Sequence, residues 1–389
     1  MPFVSYKDAI KLILENIKPV STTQSVRLQD ATGLICAQDI IAKYPLPACT
    51  ISLKEGYAIN YHSTINTYKI SSSVEKIISK GRGIKVSTGD SIPKGINAVI
   101  PTEDVYLLPD ETIKITSLLE KNINIKHKAE DIKVGEIILK KNEFIGAYKT
   151  TSCAAEGISK LKVYTKPKIS VLSIGDQLCP VEKSGSQDSI YNSNAITLGA
   201  RISEMNCFVE CINVNKEDEN TIFETLKRLS KISDLVITSG AMSSEDVMNK
   251  LLEKKDFVKI FHKVKICPAK PTALSMLDKI PILSLPGLPL SCMLGFEILG
   301  IPIINRLKNS LNIRTNFIRT INKKSFTCKA SCTTAIPGYF DGICFRSAPA
   351  FQAGMLNVLG KCNGYILVHQ KKGVRKSQKV DFYPFLLRS

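Results

Sequence analysis

Between residues 168 and 307 three apolar runs, 169–174, 235–237 and 282–285, each pass into a tight loop of small residues and then into helical spacing. The loops begin at Gly175-Asp176, at Thr238-Ser239-Gly240-Ala241-Met242-Ser243 and at Pro286-Gly287-Leu288-Pro289. Strand, crossover and strand in succession predict parallel pairing, with helices over the sheet faces. Crossover helices are expected at 194–205, 220–231, 243–254 and 288–307. In such sheets ligands lie off the carboxyl ends of the strands, where these loops converge. Gly175, Gly240 and Gly287 let backbone N–H groups approach a ligand, and helix starts behind them favour anions. A phosphate-bearing ligand across the three loops is the expectation.

The periodicity differs on either side of this block. Residues 5–17 combine a Ser N-cap, an early Asp and helical apolar spacing, and a short helix at 27–32 ends at Gly33. From Pro45 the pattern shortens to alternating runs at 68–70, 83–86, 98–100, 112–115, 124–126 and 136–139, which read as an all-β insert. Helical spacing returns at 144–155, and a strand follows at 160–164, so the insert interrupts a unit whose halves flank it. After Asn309 strands are expected at 318–321, 332–336, 342–347, 364–369 and 380–387, a small terminal sheet or barrel. The domain division is then 1–44 with 142–167, 45–141, 168–311 and 312–389.

Composition narrows this picture. A chain of 389 residues with 44% hydrophobic and 23% charged residues is an ordinary folded protein of several domains. Its net charge of +18 is carried by lysines scattered through the chain, not by a block. With no Trp and no basic–aromatic interleaving, nucleic acid is not the expected partner. The 12 cysteines form no CxxC pair and the four histidines are isolated, which points to reduced thiols and a cytoplasmic protein without a zinc site. The longest apolar stretch, 285–304, contains three prolines and Glu297, so it reads as a loop and a buried helix, with no membrane span.

Eight short motifs in order resemble the molybdopterin molybdenumtransferase family (MoeA, and the related E domains of gephyrin and Cnx1). They are Ser52-Leu53-Lys54-Glu55-Gly56-Tyr57-Ala58, Thr88-Gly89-Asp90 running on to Ala98-Val99, Ala129-Glu130-Asp131-Ile132, and Ser173-Ile174-Gly175-Asp176-Gln177-Leu178. Ile190-Tyr191-Asn192-Ser193-Asn194, Thr238-Ser239-Gly240-Ala241, Cys267-Pro268-Ala269-Lys270-Pro271 and Leu285-Pro286-Gly287-Leu288-Pro289 complete the series. The resemblance covers nearly the whole chain. It implies an elongated, multidomain α/β protein with all-β parts: a MogA/MoaB-like doubly wound domain, a β-rich insert and a C-terminal small β-barrel. It also implies a homodimer that inserts molybdate into adenylylated molybdopterin with Mg²⁺-assisted release of AMP, alongside other cofactor-biosynthesis proteins.

Carried over position by position, the resemblance makes Asp131, Asp176, Glu55 and Asp246 the acidic catalytic groups, with Glu55, Asp131 and Asp176 handling the metal. Gly175, Ser239, Gly240, Lys263, Lys270, Pro286, Gly287, Pro289 and Thr88 would bind the pterin and its phosphates. The sequence departs from the family pattern at Glu55, Gln177, Ala241, Ala269 and Leu288, which replace Asp, Glu, Gly, Gly and Asn. Because these changes fall in the motifs, a non-catalytic paralogue that binds cofactor or serves as a scaffold is the alternative reading.

Overall fold

A computed structural model describes residues 3–71, 76–116, 120–185, 189–214, 218–242, 246–312 and 316–385. Helix α1 (Tyr6–Asn16) starts where expected: the Ser5 hydroxyl accepts the Asp8 N–H at 3.1 Å and donates to the Asp8 carboxylate at 2.6 Å. Its buried face, Ala9, Ile10 and Ile13, shares one core with Ile169, Val171, Leu235 and Ile237. The N-terminal helix therefore packs on the α/β sheet, more than 150 positions along the chain.

The segments flanking the insert are joined by an antiparallel ribbon, Thr23–Arg27 with Lys160–Tyr164. Between them the helix expected at 27–32 is a single 3₁₀ turn, Leu28–Asp30, and the one expected at 144–155 is confined to Lys149–Ala155. The insert is a six-stranded sheet in the order Ala98–Pro101, Gly56–Ile59, Arg82–Val86, Thr67–Ser71, Thr112–Ile115, Val105–Leu108. The strands Gly56–Ile59 and Val105–Leu108 are additions to the expected set. A short ribbon, Ile51–Ser52 with Ile125–Lys126, stands beside it.

The α/β block follows as β1 (Lys168–Ile174), α2 (Ser193–Glu204), β2 (Phe208–Val214), α3 (Glu219–Ser230) and β3 (Leu235–Ser239). A five-residue helix, Val247–Leu251, leads to β4 (Phe257–His262), β5 (Ala273–Leu277) and β6 (Ile280–Leu285). Of the helix expected at 243–254, residues 243–245 lie outside the described ones. The strand order is β2-β1-β3-β6-β5-β4. β1, β2, β3 and β6 are parallel, as expected, while β4 and β5 add an antiparallel edge. Every residue of β1 after Lys168 is buried, the signature of a strand covered on both faces.

Helix α4 (Pro289–Leu307, 19 residues) is long and apolar enough to cross a membrane, but 89% of its most apolar window is buried in the protein, so it is a core helix. Pro302 cannot donate a backbone hydrogen bond, and the turn preceding it, Phe296–Gly300, widens to π geometry. Beyond it Ile318–Asn322, Thr333–Phe340, Cys344–Ser347, Gly364–His369 and Lys379–Pro384 close into a five-stranded barrel. The two-residue strand Ile266–Cys267 pairs in parallel with the start of the barrel's Thr333–Phe340 strand, docking the barrel on the α/β domain.

Candidate active site

Register brings the three loops to one level. Ser173 of β1 lies beside Ser239 of β3, which lies beside Leu285 of β6. Gly240 has φ +102°, and a Cβ there would lie 2.2 Å from the Ile174 carbonyl oxygen, so the second loop crosses the end of β1 with no room for a side chain. The Gly240 N–H donates to Leu285 at 3.3 Å, and a Cβ on Gly287 would meet Gly240 Cα at 3.2 Å. Pro286 is buried beneath the third loop, and Pro289 opens α4 in its first turn. Directly below these loops the hydroxyls of Ser173, Thr238 and Ser284 are buried without a hydrogen-bond partner.

A fourth loop reaches the same edge. β4 and β5 are antiparallel, His262 pairs with Ala273, and Ala273 pairs with Ser284, so residues 263–272 lie at the carboxyl end of the parallel strands. That places Lys263 and Lys270 beside the three loops. Lys263 is half-buried in a left-handed conformation with φ 67°. Lys270 is exposed, its Nζ 5.2 Å from the centre of the Phe3 ring. His262 Nε2 meets Asn249 Oδ1 at 2.8 Å, and burial lowers the imidazole's pKa, which favours the neutral ring. Asp246 begins the short helix after the second loop and is half-buried. Asp176 is exposed just after Gly175, at the start of a flap in which Leu178–Cys179 pairs with Ile190–Tyr191.

Glu55, Thr88 and Asp131 stand apart from this group, on the loops around the Ile51–Ser52 ribbon, and all are exposed. A Cβ on Gly56 would lie 1.9 Å from the Ile100 carbonyl oxygen, which fixes the Glu55-Gly56 corner as a close backbone crossing. Thr88 sits in a tight turn closed by Asp90, whose carboxylate accepts the Ser87 N–H at 2.7 Å. The Ser52 N–H donates to the Asp90 carbonyl, tying that turn to the ribbon. Asp131 is paired with the Lys126 ammonium. Among the described residues no three His, Cys, Asp or Glu side chains form a group that could hold a metal ion. Glu55, Asp131 and Asp176 thus form no such three-carboxylate group among the described residues.

The drifted glycine positions divide by geometry. Ala241, and Ala129 where the family's Gly-Glu-Asp-Ile motif has its glycine, have φ 52° and 63°, a region that disfavours any Cβ. Ala269 is different: its methyl is fully buried, and a Cβ on Gly295 of α4 would lie 3.2 Å from it, so it faces the core and leaves the ligand side clear. Leu288 is 55% exposed at the mouth of the third loop.

Residues 4–157 match the MoeA N-terminal region (domain I and II), and residues 170–306 match the probable molybdopterin binding domain. The chain belongs to the molybdopterin molybdenumtransferase family. The molybdopterin molybdenumtransferase of Haemophilus influenzae is 29% identical over 393 residues, covering 96% of each chain. That of Staphylococcus epidermidis is 27% identical over 392 residues, covering 93% of each. The crystal structure of the molybdopterin biosynthesis moeA protein from Pyrococcus horikoshii superposes with a TM-score of 0.85 at 24% identity, over 98% of this chain and 100% of that one. The molybdopterin molybdenumtransferase fold therefore spans the whole chain. Asn194, whose side chain links two of the strand-end loops, joins the site beyond the residues that the motifs assign. Its signal was present in Ile190-Tyr191-Asn192-Ser193-Asn194, the motif that opens α2.

Proposed function

We propose that this molybdopterin molybdenumtransferase inserts molybdate into adenylylated molybdopterin and releases AMP by hydrolysis of the phosphoanhydride. The observation that carries the reading is the convergence of four loops at the carboxyl edge of the sheet, with Gly240 and Gly287 opening the backbone and Lys263 and Lys270 beside them. Gly175, Ser239, Pro286 and Pro289 complete the pterin-binding side. Lysines and backbone N–H groups suit a substrate with phosphates at one end.

Asp176 and Asp246 are the acidic groups at this edge. Glu55, Asp131 and Thr88 belong to the insert, and we place them opposite the loops of a second copy in a homodimer, so that one cleft draws on two chains. In that arrangement carboxylates orient water and the oxyanion, while the lysines neutralise the phosphates. Mg²⁺ takes one or two carboxylates beside phosphate oxygens, so Glu55, Asp131 and Asp176 would supply its protein ligands across that shared cleft. The reading includes a cytoplasmic location and the four-unit division 1–44 with 142–167, 45–141, 168–311 and 312–389, with α1 lent to the α/β core. Anaerobic incubation with adenylylated molybdopterin and molybdate should yield finished cofactor together with AMP. Intact binding with no product would leave the scaffold reading in its place.

A further inference from the structure

Asn194, in the first turn of α2, joins the second and third strand-end loops. Its Nδ2 donates to the Ser239 hydroxyl at 2.9 Å and to the Gly287 carbonyl at 2.8 Å, which uses both amide hydrogens. Ser239 Oγ lies 3.5 Å from Cys292 Sγ in α4, so the contact continues into the core. The helix that carries Asn194 is itself held firmly. Asn192 caps it, accepting the Ala195 N–H at 3.1 Å, and its amide donates to Asn213 near the end of β2.

The Gly287 bond has a directional consequence. The peptide between Gly287 and Leu288 is trans, so its carbonyl and its N–H point to opposite sides. Turning the Gly287 carbonyl towards α2 turns the Leu288 N–H to the opposite side of that peptide. A backbone N–H of a strand-end loop is a donor for an anion.

Building on the function proposed above, we propose that Asn194 is a positioning residue: it clamps the second loop to the third and aims the Leu288 N–H at a phosphate of the bound substrate. Asn194 has no part in the chemical step. Its loss should weaken substrate capture and leave turnover of bound substrate nearly intact.

The test compares wild type with Asn194→Ala and Asn194→Asp in the full chain. Alanine removes both bonds. Aspartate keeps the size and can accept from the Ser239 hydroxyl, but it sets a carboxylate against the Gly287 carbonyl. Both variants should raise KM for adenylylated molybdopterin on the order of tenfold, with kcat within about twofold. Amide exchange at Gly240, whose N–H crosses from the second loop to the Leu285 carbonyl at 3.3 Å, should accelerate in both variants, with α3 unchanged. Unaltered exchange at this amide would overturn the clamp, as would a fall in kcat at constant KM or acceleration throughout the sheet. If wild type shows no turnover, the proposed function fails, and the exchange measurement still decides for or against the clamp.

Discussion

At the residue scale, two alanines occupy backbone positions that favour glycine, and the structure separates them. Ala129 is partly exposed in the insert, with φ 63°. Ala129→Gly should stabilise the protein by about 1 kcal/mol, because a left-handed L-residue costs roughly that much. Ala241, with φ 52°, also buries its methyl in the core beside Ile174 and Met242. Ala241→Gly relieves the backbone but forfeits a buried methyl worth about 0.8 kcal/mol, so its net effect should be near zero. Urea denaturation of the two variants checks this ordering. Equal gains in both would show that burial of the Ala241 methyl contributes nothing.

At the element scale, helices α2 and α4 of the α/β domain are locked by a buried ion pair. Arg201 of α2 holds Glu297 of α4 through Nε–Oε1 at 2.7 Å and Nη2–Oε2 at 3.2 Å, and Glu204 adds a second acceptor at 3.2 Å. Burial pushes the Glu297 carboxyl upward in pKa, and the guanidinium pulls it back. Glu297→Gln leaves the buried guanidinium with the more exposed Glu204 as its remaining carboxylate and should be destabilising. Arg201→Met combined with Glu297→Leu should cost less than the single change, because no charge is left buried. Thermal melting of both variants tests this; a double variant less stable than Glu297→Gln would refute it.

This scale also shows how far the sequence could be read. The strands β1, β3 and β6 are legible because each is an unbroken apolar run ending in a small-residue loop, as a strand covered on both faces requires. β2 escaped because it lies at the sheet edge, where Phe208, Glu210 and Cys211 are exposed and the apolar run is broken. β5 and β6 form a hairpin through Asp278 and Lys279, both at positive φ, where Lys in place of Gly hides the turn. The 3₁₀ turn at Leu28–Asp30 buries none of its residues, so the spacing read as a helix has no core to hold it. Within the site, the glycines announced the close crossings at Gly240 and Gly287. The motif marks Asn194, but its bond to Gly287 joins residues 93 apart, which no local pattern announces.

At the scale of the whole molecule, the acidic residues expected to act together lie on two separate parts of the chain. Glu55, Thr88 and Asp131 surround the ribbon beside the insert sheet, while Asp176, Asp246 and the lysines follow the α/β strands. If the cleft is shared between two copies, mixing an Asp131→Asn chain with a Ser239→Ala chain should restore activity. One class of cleft in each mixed dimer would then be intact, and random pairing gives about a quarter of wild-type activity when both parents are inactive. Recovery no greater than the sum of the parents would place each complete site within one chain.

The central claim, that the strand-end loops hold an adenylylated pterin for molybdate insertion, is tested most directly by the rate of AMP release as a function of molybdate. Release should rise to saturation with molybdate and be matched by finished cofactor. Release that ignores molybdate, or none while adenylylated molybdopterin remains bound, would contradict it.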